Sequence, residues 1–186
     1  MNQPARRSAT YEDLRDLPEH LIGEIINREL HTQPRPAPRH ALAASIIGDE
    51  LVSPFHRGRG GPGGWWILFE PELHLGADIL VPDLAGWRRE RLPSLPAEAW
   101  FYLAPDWVCE ILSPGTERID RVVKLPMYAA RGVRWLWLVN PDLRTLEVFE
   151  LREDRWLLDS AWQRDDTVQA PPFADHEFSL GDLWAD

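Results

Sequence analysis

The chain has a single cysteine, Cys109, so no internal disulfide can form. No cysteine cluster exists for zinc or an iron–sulfur centre. Cys109 lies in the apolar run Trp107-Val108-Cys109, which predicts a buried thiol in a reducing compartment. No apolar stretch approaches the roughly 20 residues needed to cross a membrane. Residues Met1 to Thr10 are polar and lack the apolar core of a signal peptide, so a cytoplasmic location and no membrane partner are expected. Basic residues are also scarce: 20 Lys and Arg stand against 30 Asp and Glu, a formal charge of -10. That argues against non-specific nucleic-acid binding over the whole surface, because phosphate neutralisation needs basic groups, but it leaves room for a local basic cleft. Arg57, Arg59, Arg88, Arg89, Arg91, Arg118, Arg121, Arg131 and Arg134 gather in the middle of the chain while acids dominate the ends. They are either an electrostatic footprint or ordinary solvated charge.

What is present suffices for a core. The 186 residues are 44% hydrophobic and 27% charged, which suits one folded domain. Residues 1–10 are expected as a flexible tail and 11–186 as a single domain. Thr10 and Asp13 offer a capping box for a short segment from Tyr11 to Leu17. Leu21 to Glu29 reads as a strand or a strand with a tight turn, and Gln33 to Pro38 as extended. Arg39 to Val52 is the first long helix, with Leu42, Ile46 and Asp49 on one stripe and Pro54 as its stop. Phe55 to Gly64 is a glycine-rich, mobile loop. No Lys-Ser/Thr pair follows it, so it is not a phosphate loop. Strands are expected at Trp65–Phe69, Glu72–Leu75 and Asp78–Val81, then a connection from Trp87 to Leu103 with a short helix near Ala97. Trp107 to Leu112 is the central strand, and Glu117 to Arg131 a helix that Pro126 should kink and Gly132 should cap. Val133–Val139, Thr145–Arg152 and Arg155–Leu158 form an antiparallel meander, and the polar C-terminal stretch carries Phe173, Phe178 and Leu183 as anchors. This order describes a mixed α/β protein rather than a doubly wound sheet.

Three residues stand out chemically. Asp83 closes a strand run behind Pro82. Glu110 interrupts an apolar strand, where a carboxylate must be partnered, bind a metal or change its pKa, unless it points to a solvated face. Lys124 lies four residues after Asp120, so the two share a helix face. They form either a surface ion pair or a lysine turned back toward Asp83 and Glu110. Two carboxylates and a lysine could hold a hard divalent metal and stabilise charge on a phosphodiester. Glu24 is a further carboxylate. His40 reads as a surface histidine, and Ser113 as a turn or helix cap.

The stretch from Pro105 to Thr116, followed by Asp120, Lys124, Tyr128, Gly132 and Trp137-Leu138-Val139-Asn140-Pro141, resembles the Uma-two family, formerly a domain of unknown function, in the PD-(D/E)XK nuclease superfamily. The likeness extends to Leu21–Glu29, Pro38-Arg39-His40, Pro71–Leu75 and Val81-Pro82-Asp83-Leu84, so it covers roughly Thr10 to Arg155. It implies a restriction-endonuclease-like α/β fold, a curved mixed β-sheet flanked by helices. It implies Asp83 and Glu110 as metal-binding carboxylates for Mg2+ or Mn2+, DNA as substrate and a homodimer. The superfamily lysine position falls on Leu112, which cannot serve, so the resemblance points to Lys124 as the ammonium, with Glu24 beside the site. The alternative is a non-catalytic or regulatory nucleic-acid-associated protein with the same fold.

Overall fold

A computed structural model describes residues 7–185. Of the N-terminal stretch expected as a tail, residues 1–6 lie outside the described residues. Beyond them Ala9 donates to the Arg28 carbonyl at 2.8 Å, and Thr10 and Asp13 close the capping box that starts α1 (Tyr11–Arg15).

The molecule is layered. A six-stranded sheet has the order β11-β10-β9-β8-β6-β3. Its strands are β3 (Trp65–Phe69), β6 (Leu84–Arg88), β8 (Trp107–Ile111), β9 (Trp135–Asn140), β10 (Thr145–Arg152) and β11 (Arg155–Gln163). Only β8 and β9 run parallel, so the sheet is mixed, and β9, β10 and β11 form the expected meander. A five-stranded sheet has the order β2-β1-β5-β4-β7. It is made of β1 (Leu21–Ile26), β2 (Glu29–Pro34), β4 (Glu72–Leu75), β5 (Asp78–Leu80) and β7 (Trp100–Phe101).

All five residues of β8 are buried, and their alternation divides the core in two. Trp107, Cys109 and Ile111 pack with α2 (Pro38–Leu51) and the C-terminal segment, where Phe173 meets Trp107 and Trp137 edge-on at 5.0 and 5.7 Å. Val108 and Leu112 face the other way, toward Leu73, Leu75 and Leu80 of the five-stranded sheet and toward Tyr128. Glu110 shares that inward face. The solvated alternative for Glu110 is therefore excluded.

Several elements differ from the sequence reading. β1 and β2 are a hairpin turning at Asn27 and Arg28, both at positive φ (53° and 67°), without the glycine that usually marks such a turn. β6 went unrecognised because four of its five residues are buried, which erases alternation. Trp100 and Phe101 are a strand, not part of a helix. The buried positions of α2 are Ala43, Ile47, Gly48 and Leu51, one stripe over from the expected one. Pro54 does not stop α2: a wider π turn (Val52–His56) continues it, closed by Arg57 N–H on the Val52 carbonyl, and absorbs the proline. The expected C-terminal anchors are in place, with Phe173, Phe178 and Leu183 all buried. Among the described residues no helix is long and apolar enough to cross a membrane.

Both borders of the six-stranded sheet are modified. At β3 the outward Ile67 N–H donates to His56 Nδ1 (3.2 Å), and the Trp65 carbonyl accepts from Arg89 Nε (3.2 Å). At β11 the register against β10 slips, leaving the exposed Asp159 as an extra residue between Leu158 and Ser160.

Candidate functional site

A cavity of about 410 Å³ lies between the hairpin β1–β2, the residues linking it to α2, the start of β6, the end of β8 and the helix after β8. Glu24, Asp83, Glu110 and Lys124 all line it, as do His40 and Asp120. Asp120 and Lys124 share one turn of the helix after β8, and the others each arrive from a different part of the chain. Glu24 is mid-strand in β1 and accepts the Val81 N–H at 2.8 Å. Asp83 precedes β6, where its Oδ2 accepts the Ile111 N–H at 2.7 Å across the sheet. His40, in the first turn of α2, places Nε2 3.2 Å from Asp83 Oδ1, so it is a site residue and not the surface histidine expected. Its Nδ1 is buried without a hydrogen-bond partner.

The helix after β8 settles the geometry around Pro126. α3 (Glu117–Ile119) passes into a π turn (Asp120–Lys124) and then α4 (Leu125–Ala130). Leu125 N–H closes the π turn on the Asp120 carbonyl, and Pro126 falls in the first turn of α4, where a missing N–H costs nothing. Gly132, at φ 73°, follows the helix end as expected. Helical turns therefore run on from Glu117 to Ala130 through the proline. Asp120, Lys124 and Tyr128 consequently all reach the cluster.

Lys124 Nζ lies 2.9 Å from Glu24 Oε1, 3.3 Å from Glu110 Oε1 and 3.4 Å from Asp120 Oδ1. Tyr128 donates its hydroxyl to the same Glu110 Oε1 at 2.6 Å. Lys124 and Asp120 are buried (2% and 3% exposed), so they are not a surface ion pair. Asp83 sits across the cavity and takes its partners from His40 and Ile111, not from Lys124. Leu112 belongs to the apolar core on the inward face. Ser113 acts in the turn, its carbonyl accepting from Thr116 and Glu117 N–H.

Three buried carboxylates, Glu24, Glu110 and Asp120, surround one ammonium. Burial pushes Glu110 well above the ordinary carboxylate range; Lys124 opposes this, while Asp120, Asp83 and Glu24 add to it. Asp120 is raised by burial and partly restored by Lys124. Burial alone would lower Lys124, yet Glu110, Glu24 and Asp120 outweigh it and hold its pKa well above normal. Burial and the nearby carboxylates push Tyr128 up as well. Lys124 therefore stays charged, while Glu110 and Asp120 are both held above the ordinary carboxylate range. At His40 burial would lower the pKa, but the bond to Asp83 raises it.

The sequence carried one signal for this site that spacing arguments passed over. Lys124 is the only lysine in the chain; the other nineteen of its twenty basic residues are arginines. A compact ammonium fits where three carboxylates converge, whereas a planar guanidinium demands a wider, flat seat. Asp120 and Tyr128, four residues to either side of Lys124, lie on the helix face that the spacing assigns to it.

The oxygen donors suit a hard cation. Both bonds to Glu110 fall on Oε1, and Asp83 and Glu110 line one cavity. Among the described residues no three His, Cys, Asp or Glu side chains form a preformed metal cage. Magnesium does not require one, since one or two carboxylates with waters suffice.

Comparison with known proteins places this geometry in a family. A crystal structure from Anabaena variabilis, described as a putative nuclease belonging to DUF820, superposes with a TM-score of 0.74 at 24% identity, covering 94% of this chain and 97% of that one. That likeness shows that the two share one mixed α/β fold. No curated protein matches the chain. A family model described as "Putative restriction endonuclease" matches residues 9–181, and the chain accordingly belongs to the Uma2 family.

Proposed function

We propose that this protein is a divalent-metal-dependent endonuclease that hydrolyses DNA phosphodiester bonds. The observation that carries the reading is the convergence of Glu24, Asp83, Glu110 and Lys124 on one cavity despite Pro126. Asp83 and Glu110 are its metal-binding carboxylates, for Mg2+ or Mn2+. When bound, the ion lowers the pKa of a coordinated water and stabilises charge on the phosphodiester. His40 and the Ile111 N–H fix the Asp83 carboxylate from two sides. Tyr128 fixes Glu110 through Oε1, and among the described residues no hydrogen bond falls on Oε2. Lys124 acts as a permanent positive charge rather than a base, because its pKa is held up. Glu24 positions Lys124 through their 2.9 Å contact.

One observation favours the competing, non-catalytic reading: the cluster already carries its own counter-ion in Lys124. Titration calorimetry separates the two. Wild type is expected to bind Mn2+ and Mg2+ and to nick plasmid or single-stranded DNA, while Asp83→Ala and Glu110→Ala lose both. No heat of binding and no cleavage leaves the non-catalytic reading standing, and cleavage surviving both substitutions means that Asp83 and Glu110 are not its metal site.

A further inference from the structure

The nine arginines of the central segment separate once their partners are known. Arg91 pairs with Asp106, Arg121 with Glu117 and Glu147, Arg131 with Asp78, and Arg134 with Glu150. These four are ordinary surface charge. The other five have no carboxylate at ion-pair distance among the described residues, and all five are exposed. Arg118 stands apart on α3. Arg57, Arg59, Arg88 and Arg89 share one corner of the six-stranded sheet.

That corner is built, not loose. The expected mobile loop is pinned beneath its arginines: Arg57 N–H bonds to the Val52 carbonyl, Arg59 N–H to Ser53 and Gly63 N–H to Pro54, each at 2.9 Å. A Cβ on Gly61 would lie 2.5 Å from Pro54 Cβ, so a side chain there would displace the loop from its seat. Arg88 lies over the Trp65 ring at 4.6 Å and Arg89 over Trp66 at 4.1 Å, and Arg89 also donates to the His56 carbonyl. His56 reports the resulting field: burial holds its imidazole low, and Arg89 and Arg57 lower it further. Four like charges in one corner repel one another, and on a chain of net charge -10 ample acid was at hand to pair them. A polyanion resolves the repulsion.

We propose that this corner is a second nucleic-acid contact, gripping backbone phosphates of the DNA whose scissile phosphate enters the Asp83–Glu110 cavity; it rests on the substrate reading above. β6 connects the two places, starting beside Asp83 and ending at Arg88. Five residues of strand span roughly 16 Å. With one phosphate per roughly 3.4 Å of axis on each strand, the corner lies roughly five nucleotides from the cleaved bond. The ligand is thus a polynucleotide rather than a nucleotide. The contact reads phosphates, so it adds affinity without sequence preference.

The test is fluorescence anisotropy of a labelled 20-nucleotide duplex and of its single strand, in EDTA, across a salt series. The variant is Arg57→Gln/Arg59→Gln/Arg88→Gln, which spares Arg89 and its bonds to β3. Each lost phosphate contact reduces the slope of log affinity against log salt by about 0.9 on duplex or 0.7 on single strand. The triple variant is therefore expected to lose a slope of about 2 to 3 and at least roughly tenfold in affinity at 0.1 M salt. Arg134→Gln, which removes a paired charge, is expected to leave the slope alone. An unchanged slope in the triple variant overturns the proposal, as does an equal loss in Arg134→Gln. Binding to phosphatidylserine vesicles but not to DNA overturns it too. Binding is read without a divalent ion, so a protein that binds DNA in this way yet does not cleave it once Mn2+ or Mg2+ is supplied refutes the endonuclease and keeps the contact.

Discussion

Replacing Lys124 by alanine is expected to lower the unfolding free energy by about 3–5 kcal/mol, the cost of stripping a buried ion pair of one partner. For a chain of this length that is a fall of roughly 6–20 °C in Tm. The cause is specific. Glu24, Glu110 and Asp120 would remain buried with no cation among them. Lys124→Met keeps most of the stem volume, so the difference between the two variants isolates packing from charge. The loss should depend on pH. Glu110 and Asp120 already have folded pKa values above their unfolded ones. The sign follows: their contribution to stability is fully present below the unfolded values near 4 and is lost as pH rises through the raised ones. Without Lys124 those values rise further, so the Tm deficit should widen from pH 5 to pH 8. Added Mn2+ should restore more Tm to Lys124→Ala than to wild type if the same carboxylates hold the metal. Scanning calorimetry at two pH values, with and without Mn2+, measures all of this. A deficit under about 1 kcal/mol would mean that the cluster is solvated and the burial argument fails.

Glu110→Gln should separate stability from activity. It removes one negative charge from a surplus while keeping an oxygen for the Tyr128 hydroxyl and for Lys124. Metal affinity is expected to fall at least roughly a hundredfold, since loss of an outer-shell partner alone typically costs ten- to a hundredfold. Cleavage is expected to disappear. The metal-free protein should nevertheless become more stable, by about 0.5–2 kcal/mol at pH 8. The gain should shrink toward pH 4, where Glu110 of the wild type is protonated and the two side chains are nearly equivalent. Urea unfolding from pH 4 to pH 8 reads the crossover. A variant less stable than wild type at pH 8 would show that Glu110 is a structural partner of Lys124 and not a strained functional acid.

The sequence and the structure part company for identifiable reasons. The central strand, the helix after it and the meander were legible because Trp107 to Leu112 is apolar except for Glu110 and Gly132 marks a helix end. Glu110 was visible as the polar residue in that run, but its direction was not. Direction needs the second layer, and that layer's β1–β2 hairpin turns through Asn27-Arg28, which carries no glycine. Lys124 was visible too, with Pro126 as an obstacle. A π turn leaves no local signature in a single sequence; one at Val52–His56 contains Pro54, expected to stop a helix, and one at Asp120–Lys124 directly precedes Pro126, expected to kink one. His40 could not be found, because what makes it part of the site is Asp83, forty-three residues away and delivered by another element.

The treatment of the β3 and β11 borders bears on how copies of this protein meet. An open strand is a template on which a neighbour can add a further strand, and repetition of that step makes fibres. Here His56 and Arg89 occupy the groups that β3 would offer, and the extra Asp159 puts a charge and a kink into β11 beside the exposed Leu157 and Leu158. Growth of the six-stranded sheet is thereby disfavoured at both borders. Arg89 serves this closure and the basic corner at once: the side chain that ends the sheet also helps to hold the charge that would meet DNA.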